Sequence, residues 1–140
     1  MGVRAKWVIK PPFGKRLISG RFLCAKIRLM IDLSQCEKNE YSQQGEDGII
    51  AAILAEIGTT NRTAVEFGAL DGLTDNTFAL KMANWRVIQI NGDKRTANIH
   101  QAWLTAENCN DVFGHLNVPK EFDVLSIDID FNDYYVWEAL

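Results

Sequence analysis

The spacing of apolar residues predicts two amphipathic helices in the first part of the chain. Between residues 45 and 57 they fall at i, i+1, i+4, i+5 and i+8, a one-sided helical pattern that Gly58 can end. Between about residues 15 and 33, apolar residues at helical spacing are interleaved with lysines and arginines. This second pattern predicts a basic amphipathic helix.

Three short apolar runs predict β-strands. These runs span residues 63–67, 86–90 and 122–129. A helical pattern follows each of them, over residues 76–84, 94–106 and 134–140. Because alternating helices and strands are typical of βαβ units, the sequence predicts an α/β fold with flanking helices around a parallel sheet of three to four strands.

The charge is uneven, which predicts a basic N-terminal helical arm over residues 1–40 and an acidic body over residues 41–140. Residues 1–31 contain eight basic and no acidic residues, whereas the other 109 contain seven basic and eighteen acidic residues. Three interpretations of the arm stay open: it contacts an anionic membrane surface, it binds an anionic glycan or nucleic acid, or it packs on the body. Aromatic and basic residues do not interleave on any segment of the body, so we predict no nucleic-acid partner.

Length and composition fit one compact domain, since the chain has 140 residues, 47% hydrophobic and 24% charged. The longest apolar run, residues 49–55, is far shorter than the ~20 residues of a membrane-spanning helix. The three cysteines, Cys24, Cys36 and Cys109, form no CxxC pair and indicate neither a disulfide framework nor a zinc site. We therefore predict a reducing, cytoplasmic location, peripheral to a membrane if the arm binds lipid.

Polar residues and glycines follow each predicted strand, at the sheet edge where parallel sheets bind ligands. These residues are Glu66, Gly68, Asp71 and Gly72 at or after the carboxyl end of the first strand, Asn91 and Asp93 after the second, and Asp128 and Asp130 at or after the end of the third. A glycine after a buried strand lets the backbone approach a ligand, and carboxylates accept hydrogen bonds from ammonium or hydroxyl groups. The GxGxxG spacing that binds a pyrophosphate is missing, so S-adenosylmethionine (SAM) fits this segment better than a dinucleotide. The alternative is that the segment binds no ligand and is a plain strand-to-helix turn.

The third strand end carries a DxDxxD pattern formed by Asp128, Asp130 and Asp133. Strand alternation predicts that Asp128 and Asp130 point to the same side, where they can contact a substrate hydroxyl, hold a divalent metal or act as a general base. The other interpretation is that Asn132 or Asp133 caps the next helix.

Three segments together resemble the FkbM-like class I methyltransferases. They are residues 41–50 (YSQQGEDGII), residues 65–72 (VEFGALDG) with Asn76 and Thr77, and residues 125–130 (LSIDID) with 132–134 (NDY). Order and spacing agree over about residues 41–95 and 118–140. The resemblance implies an incomplete Rossmann-like parallel sheet that binds SAM and methylates a hydroxyl of a small-molecule or glycan acceptor, a sugar or another natural product.

The resemblance also implies roles for individual residues. Glu66, Gly68, Asp71 and Gly72 would form the SAM motif, Gln43 and Asp47 on the preceding helix would lie near the methionine end, and Asn91 and Asp93 would lie at the ribose. Asp128 or Asp130 would accept the proton of the acceptor hydroxyl.

The sequence departs from the family pattern in three places. The first departure is Asn91, which stands where the family usually has Glu. The second is the segment 107–120, which looks too short for the family's third strand, although residues 109–113 can be a remnant of it. The third is that the chain ends at Leu140, before the family's remaining strands. These departures suggest a truncated relative, and an inactive domain that acts in binding or assembly is the alternative to an enzyme. The strand at 122–129 would then have an open edge, which predicts a marginally stable chain that either forms a homodimer through that edge or aggregates.

Overall fold

The structure, a computed structural model, describes residues 6–9 by their backbone and residues 32–93 and 96–140 in full. The strands are β1 (Lys6–Ile9), β2 (Thr63–Phe67), β3 (Arg86–Asn91), β4 (His100–Gln101) and β5 (Val124–Ile127). The α-helices are α1 (Glu46–Ile57), α2 (Phe78–Met82), α3 (Cys109–His115) and α4 (Asp133–Ala139), and a 3-10 helix spans Leu33–Gln35.

The strands form a sheet in the order β1-β5-β2-β3-β4. β5, β2, β3 and β4 run parallel, and β1 pairs with β5 in the antiparallel direction. The predicted α/β fold with a parallel sheet and flanking helices is therefore confirmed for the described residues.

Successive residues of β2 face two different layers of helices. Ala64 packs in a buried cluster with Ile50 and Leu54 of α1. Val65 and Phe67 belong to a second buried cluster that also contains residues of α3 and α4. Since side chains alternate along a strand, the intervening Glu66 faces the α1 side of the sheet.

Several predicted elements agree with the structure. α1 and β2 have nearly the predicted bounds, Gly58 caps α1 with φ +78°, and β3 and α4 begin and end within a residue of their predicted limits. β5 is shorter than the predicted strand at 122–129, because it begins at Val124 and ends at Ile127.

The predicted helix over residues 94–106 is wrong in the part that the structure describes, residues 96–106. This segment contains the strand β4, in which His100 pairs with Ile90 and Gln101 with Asn91. The backbone N–H of Ala102 extends the pairing by donating to the carbonyl oxygen of Asn91 at 2.8 Å. Residues 109–115 form α3, so the idea that a strand remnant lies there is also wrong.

The predicted open edge of the third strand is wrong as well. Lys6 pairs with Ile127 and Ile9 with Val124, so β1 occupies that edge of β5. The proposed homodimer through this edge loses its premise.

The predicted helix over residues 15–33 lies almost wholly outside the described residues. Among the residues described, no helix has both the length and the apolar character of a membrane span.

Candidate functional site

A cleft opens between the carboxyl ends of β2 and β5. The chain continues from β2 to β3 on one side and reaches β5 on the other, so this is the point where the strand order reverses, the usual ligand site of parallel sheets. Residues that line the cleft are Gln43, Gln44, Glu46, Glu66, Gly68, Leu70, Thr74, Asp75, Asn76 and Asp128. Its volume is about 80 Å³.

Gly68 lets the two strand ends approach each other at the floor of the cleft. It has φ +86°, and a Cβ atom at this position would lie 1.7 Å from the carbonyl oxygen of Asp128. Its backbone N–H donates to Ile90 at 2.9 Å, and the N–H of Asp128 donates to the carbonyl oxygen of Phe67 at 3.1 Å. The glycine is therefore required by the packing of the backbone, whatever ligand the cleft binds.

Glu66 is buried beneath the cleft, with only 3% of its surface exposed. It accepts hydrogen bonds from the backbone N–H of Asn76 (2.8 Å), from the N–H and the hydroxyl of Thr77, and from Gln89 Nε2 (3.3 Å). Burial and the neighbouring charge of Asp75 outweigh these hydrogen bonds and raise the pKa of Glu66 to about 7. Its charge therefore changes near neutral pH.

Asp75, which the sequence reasoning missed, binds the backbone of the loop that follows β2. Its carboxylate accepts from the backbone N–H groups of Leu70 and Gly72, each at 2.6 Å, and from Gln89 Nε2 at 3.0 Å. Gln89 thus donates to both buried carboxylates. One feature of the sequence could have indicated this buried polar cluster: Gln89 and Glu66 are each a polar residue within an otherwise apolar strand.

Asp47, predicted to lie near the ligand, is instead buried under the segment that precedes α1. Its Oδ2 accepts hydrogen bonds from the backbone N–H groups of Glu40, Tyr41 and Ser42 at 2.7–2.9 Å. Gln43 precedes α1 and does line the cleft. Asp47 therefore shapes the chain leading to Gln43 rather than lining the cleft itself.

Asp71 and Gly72 build the loop after β2, and neither is among the lining residues. Asp71 is exposed, and the N–H groups of Thr74 and Leu73 donate to its Oδ1 at 2.8 Å, which holds the pKa of this carboxyl below its usual value. Gly72 has φ +76°, and its N–H is bound by Asp75.

Asn91 ties the end of β3 to the same loop. Its Nδ2 donates to the carbonyl oxygen of Ala69, and its Oδ1 accepts from the N–H of Asp93 at 3.1 Å. A glutamate, which only accepts when ionised, could not make the bond to Ala69. The departure at Asn91 therefore has a structural reason, and Asp93 lies exposed beside it.

Asp128 lines the cleft, whereas Asp130 is not among the lining residues. Although Asp128 is exposed, loss of part of its hydration, together with the charges of Asp133, Asp130 and Glu46, raises its pKa. The alternation argument for Asp128 and Asp130 does not hold, because β5 ends at Ile127. Asp133 Oδ1 accepts from the N–H of Ile129 at 3.0 Å. Within residues 32–93 and 96–140, no three His, Cys, Asp or Glu side chains group as metal ligands.

The cleft favours cations. Among its described lining residues four are acidic, Glu46, Glu66, Asp75 and Asp128, and none is basic. Such a lining attracts an ammonium or sulfonium group and repels a phosphate.

Comparison of the chain with protein-family models, with curated proteins and with solved structures found no match. The function proposed below therefore depends on the residues of the cleft and on the resemblance seen in the sequence.

Proposed function

We propose that the chain is a SAM-dependent methyltransferase-like domain that methylates a hydroxyl group, of a sugar or another natural product, as the resemblance suggests. The observation that carries this proposal is the acidic cleft at the strand-order reversal, with Gly68 as its floor and Asp128 at its wall. A cationic ligand distinguishes this site from a dinucleotide site, whose pyrophosphate needs hydrogen-bond donors and positive potential.

The residues present fit the two cationic groups of SAM, whereas the carboxylate at the same end of SAM would face solvent or the amide side chains of the cleft. The sulfonium and ammonium groups suit a lining that contains Glu46 and Asp128, with Glu66 beneath. The cleft, at about 80 Å³, is smaller than the roughly 300–1,000 Å³ of pockets that enclose a whole ligand, so it suffices for that end alone. Gln43 and Asn76 add polar groups at the same cleft.

SAM would supply a methyl group on a positively charged sulfur: the acceptor oxygen bonds to the methyl carbon, the carbon–sulfur bond breaks, and the sulfur leaves as a neutral thioether. Asp128 would accept the proton of the acceptor hydroxyl, since it lines the cleft and its raised pKa makes it a stronger base than an ordinary aspartate. Holding the hydroxyl in line with the methyl group would supply much of the remaining acceleration.

Isothermal titration with SAM tests the proposal, with ATP as an anionic ligand that carries the same adenosine group. We expect SAM to bind and ATP not to bind. Asp128→Asn should weaken SAM binding by up to about fivefold, because it removes a charge worth at most about 1 kcal/mol at an exposed site. Glu56→Gln is the matched control, since Glu56 is exposed near the far end of α1.

The alternative is a domain that acts in binding or assembly without methyl transfer. A folded protein that binds neither SAM nor ATP would favour this alternative. Equal binding of both nucleotides would contradict the cation preference on which the proposal rests.

A further inference from the structure

A row of buried polar side chains crosses the sheet beneath the cleft. Glu66 is the register partner of Gln89 on β3 and of Ser126 on β5, so the three side chains lie side by side on the α1 face of the sheet. All three are buried. Asn76 Nδ2 donates to Ser126 Oγ at 3.3 Å, and the hydroxyl of Thr77 donates to Glu66. The row contains one titratable group, the carboxyl of Glu66.

Gln89 brings a second carboxylate into contact with this row. Its Nε2 donates to Glu66 at 3.3 Å and to Asp75 at 3.0 Å, so two carboxylates contact the same nitrogen. Glu66 and Asp75 are only 3% and 5% exposed. Two negative charges held this close and away from water repel each other, and such a pair tends to keep one proton.

The charges around this pair are also negative. The other charged groups that line the cleft are Glu46, from the first turn of α1, and Asp128, which follows β5. β3 contributes only the neutral Gln89. None of the described lining residues is basic, so within the part of the chain that the structure describes Glu66 and Asp75 have no counter-ion.

Glu66 is the member of the pair that is suited to hold the proton. Its Oε2 accepts from the N–H and hydroxyl of Thr77 and from Gln89, whereas its Oε1 accepts a single bond, from the N–H of Asn76. Oε1 therefore has room for a proton. Both oxygens of Asp75, in contrast, accept a backbone N–H at 2.6 Å. Burial and the charge of Asp75 raise the pKa of Glu66 to about 7, which agrees with this assignment.

We propose that the cleft exchanges a proton for a cation, so that a bound sulfonium group takes the place of the proton on Glu66. The O–H bond breaks, its electron pair stays on the carboxylate, and water takes the proton. The inference rests on the proposed function, because it takes the sulfonium of SAM as the ligand. An opposite charge within about 4–6 Å favours the ionised form of a carboxyl, and Glu66 lines a cleft of only about 80 Å³.

The exchange makes the cleft selective for a sulfonium over a neutral thioether. S-adenosylhomocysteine differs from SAM by one methyl group and by the charge on sulfur, so it should leave the proton on Glu66. Because SAM releases a proton, its affinity should rise by up to about tenfold for each pH unit below neutrality. The affinity of S-adenosylhomocysteine should rise much less over the same range.

Calorimetry in phosphate and in ACES, two buffers with different ionisation enthalpies, counts the protons that each ligand releases. Both ligands carry the same amino group, so the difference between them isolates the charge on sulfur. We expect SAM to release roughly half a proton or more beyond S-adenosylhomocysteine at about pH 6. Glu66→Gln should abolish this difference, whereas Asp128→Asn should keep most of it. Glu56→Gln, at an exposed position, is the matched control and should keep all of it.

NMR of the side-chain carboxyl carbons reports the proton directly, in the parent protein and without any variant. In the protein without ligand, Glu66 should titrate well above the exposed Glu56. Saturating SAM should lower the midpoint of Glu66 by about one pH unit or more. S-methyl-L-methionine and L-methionine, which differ in the same way at sulfur, repeat the measurement without the adenosine group.

The outcomes separate this inference from the proposed function. SAM binding with no more proton release than S-adenosylhomocysteine would overturn the exchange and leave the function standing. If SAM does not bind but S-methyl-L-methionine lowers the midpoint of Glu66, the exchange is supported and the function fails. The exchange is also overturned if Glu66 titrates together with Glu56, or if neither sulfonium compound lowers its midpoint.

Discussion

Gly68 and Asp128 are in such close contact that a Cβ atom on the glycine would lie 1.7 Å from the aspartate's carbonyl oxygen. The ends of β2 and β5 can therefore meet only where residue 68 has no side chain. The glycine that sequence reasoning assigned to a ligand is needed first by the fold, and a substitution there cannot serve as a test of ligand binding.

Gly68→Ala should destabilise the protein strongly, because it adds this clash to the strain of a φ of +86°. Gly58→Ala is the control, since Gly58 has φ +78° with nothing within 4 Å of its added Cβ. Urea denaturation should show that Gly68→Ala lowers the free energy of unfolding by about 2 kcal/mol or more beyond the decrease caused by Gly58→Ala. Equal losses would contradict the close contact.

From the raised pKa of Glu66 we predict that the free energy of unfolding falls as pH rises from 4.5 to about 7. In this window the folded state keeps a proton that the unfolded state has released, because the folded pKa is raised from 4.5 to about 7. At about 1.36 kcal/mol per pH unit the window corresponds to roughly 3 kcal/mol.

Glu66→Gln should remove this part of the pH dependence, which denaturation at a series of pH values would measure. Glu56→Gln, at an exposed position, should keep it. Parallel curves for the parent and Glu66→Gln between pH 4.5 and 7 would count against a buried, titrating Glu66.

How much of this site could be read from the sequence depended on the range of the interactions. α1 and β2 were predictable because their apolar spacing is local and strong. β4 was not, since it has two exposed residues, and its strand exists only through pairing with Ile90 and Asn91. Apolar residues at 97, 99, 102 and 103 imitate a helical stripe, yet Trp103 is 74% exposed.

The sequence identified the residues at the strand ends as a group, but it could not identify the groups with which they form hydrogen bonds. Asp47 and Asp75 bind backbone N–H groups, which every residue type except proline carries, so no sequence pattern marks the contact. Glu66 and Asp128 line the cleft as the position of their strands suggested. Asp71 and Asn91, in the same region, bind the loop itself.

We predict a second contribution to stability, which is lost in acid, from Asp123 directly before the first residue of β5. Thr60, Asn61 and Arg62 donate their backbone N–H groups to its carboxylate at 2.7–3.0 Å. Although burial alone would raise the pKa of Asp123, these bonds and the Thr60 hydroxyl hold it below 3.8. The contribution is therefore present above pH 3.8 and is lost as pH falls through the lowered pKa.

Asp123→Asn should cost about 2 to 4 kcal/mol near neutral pH, because hydrogen bonds to a charged acceptor are lost. The difference from the parent should shrink as pH falls below 3.8, because the unfolded chain is protonated there first, and it should level off below the lowered pKa of the folded parent. Asp71→Asn is an exposed control with a smaller expected loss. A difference that persists at low pH would show that Asp123 acts by packing and not by charge.

The basic arm predicts binding to liposomes that contain anionic lipid. Deleting residues 1–33 would also remove β1 from the sheet, so neutralising charges is the cleaner test. Replacing Lys15, Arg16, Lys26 and Arg28 with glutamine should weaken binding roughly a hundredfold or more, at about 1 kcal/mol for each charge near the surface. Unchanged sedimentation with liposomes would rule out an electrostatic contact, and zwitterionic liposomes provide the control.

The pairing of β1 with β5 has a consequence for how the protein is made. Each residue of β1 pairs with one that lies more than 110 positions later in the chain. At a synthesis rate of about 5–20 residues per second, β1 leaves the ribosome on the order of ten seconds before its partner exists. The parallel pairs among β2, β3 and β4 join nearer neighbours and can form in that interval. Of the five described strands, the one synthesised first is then the last to enter the sheet.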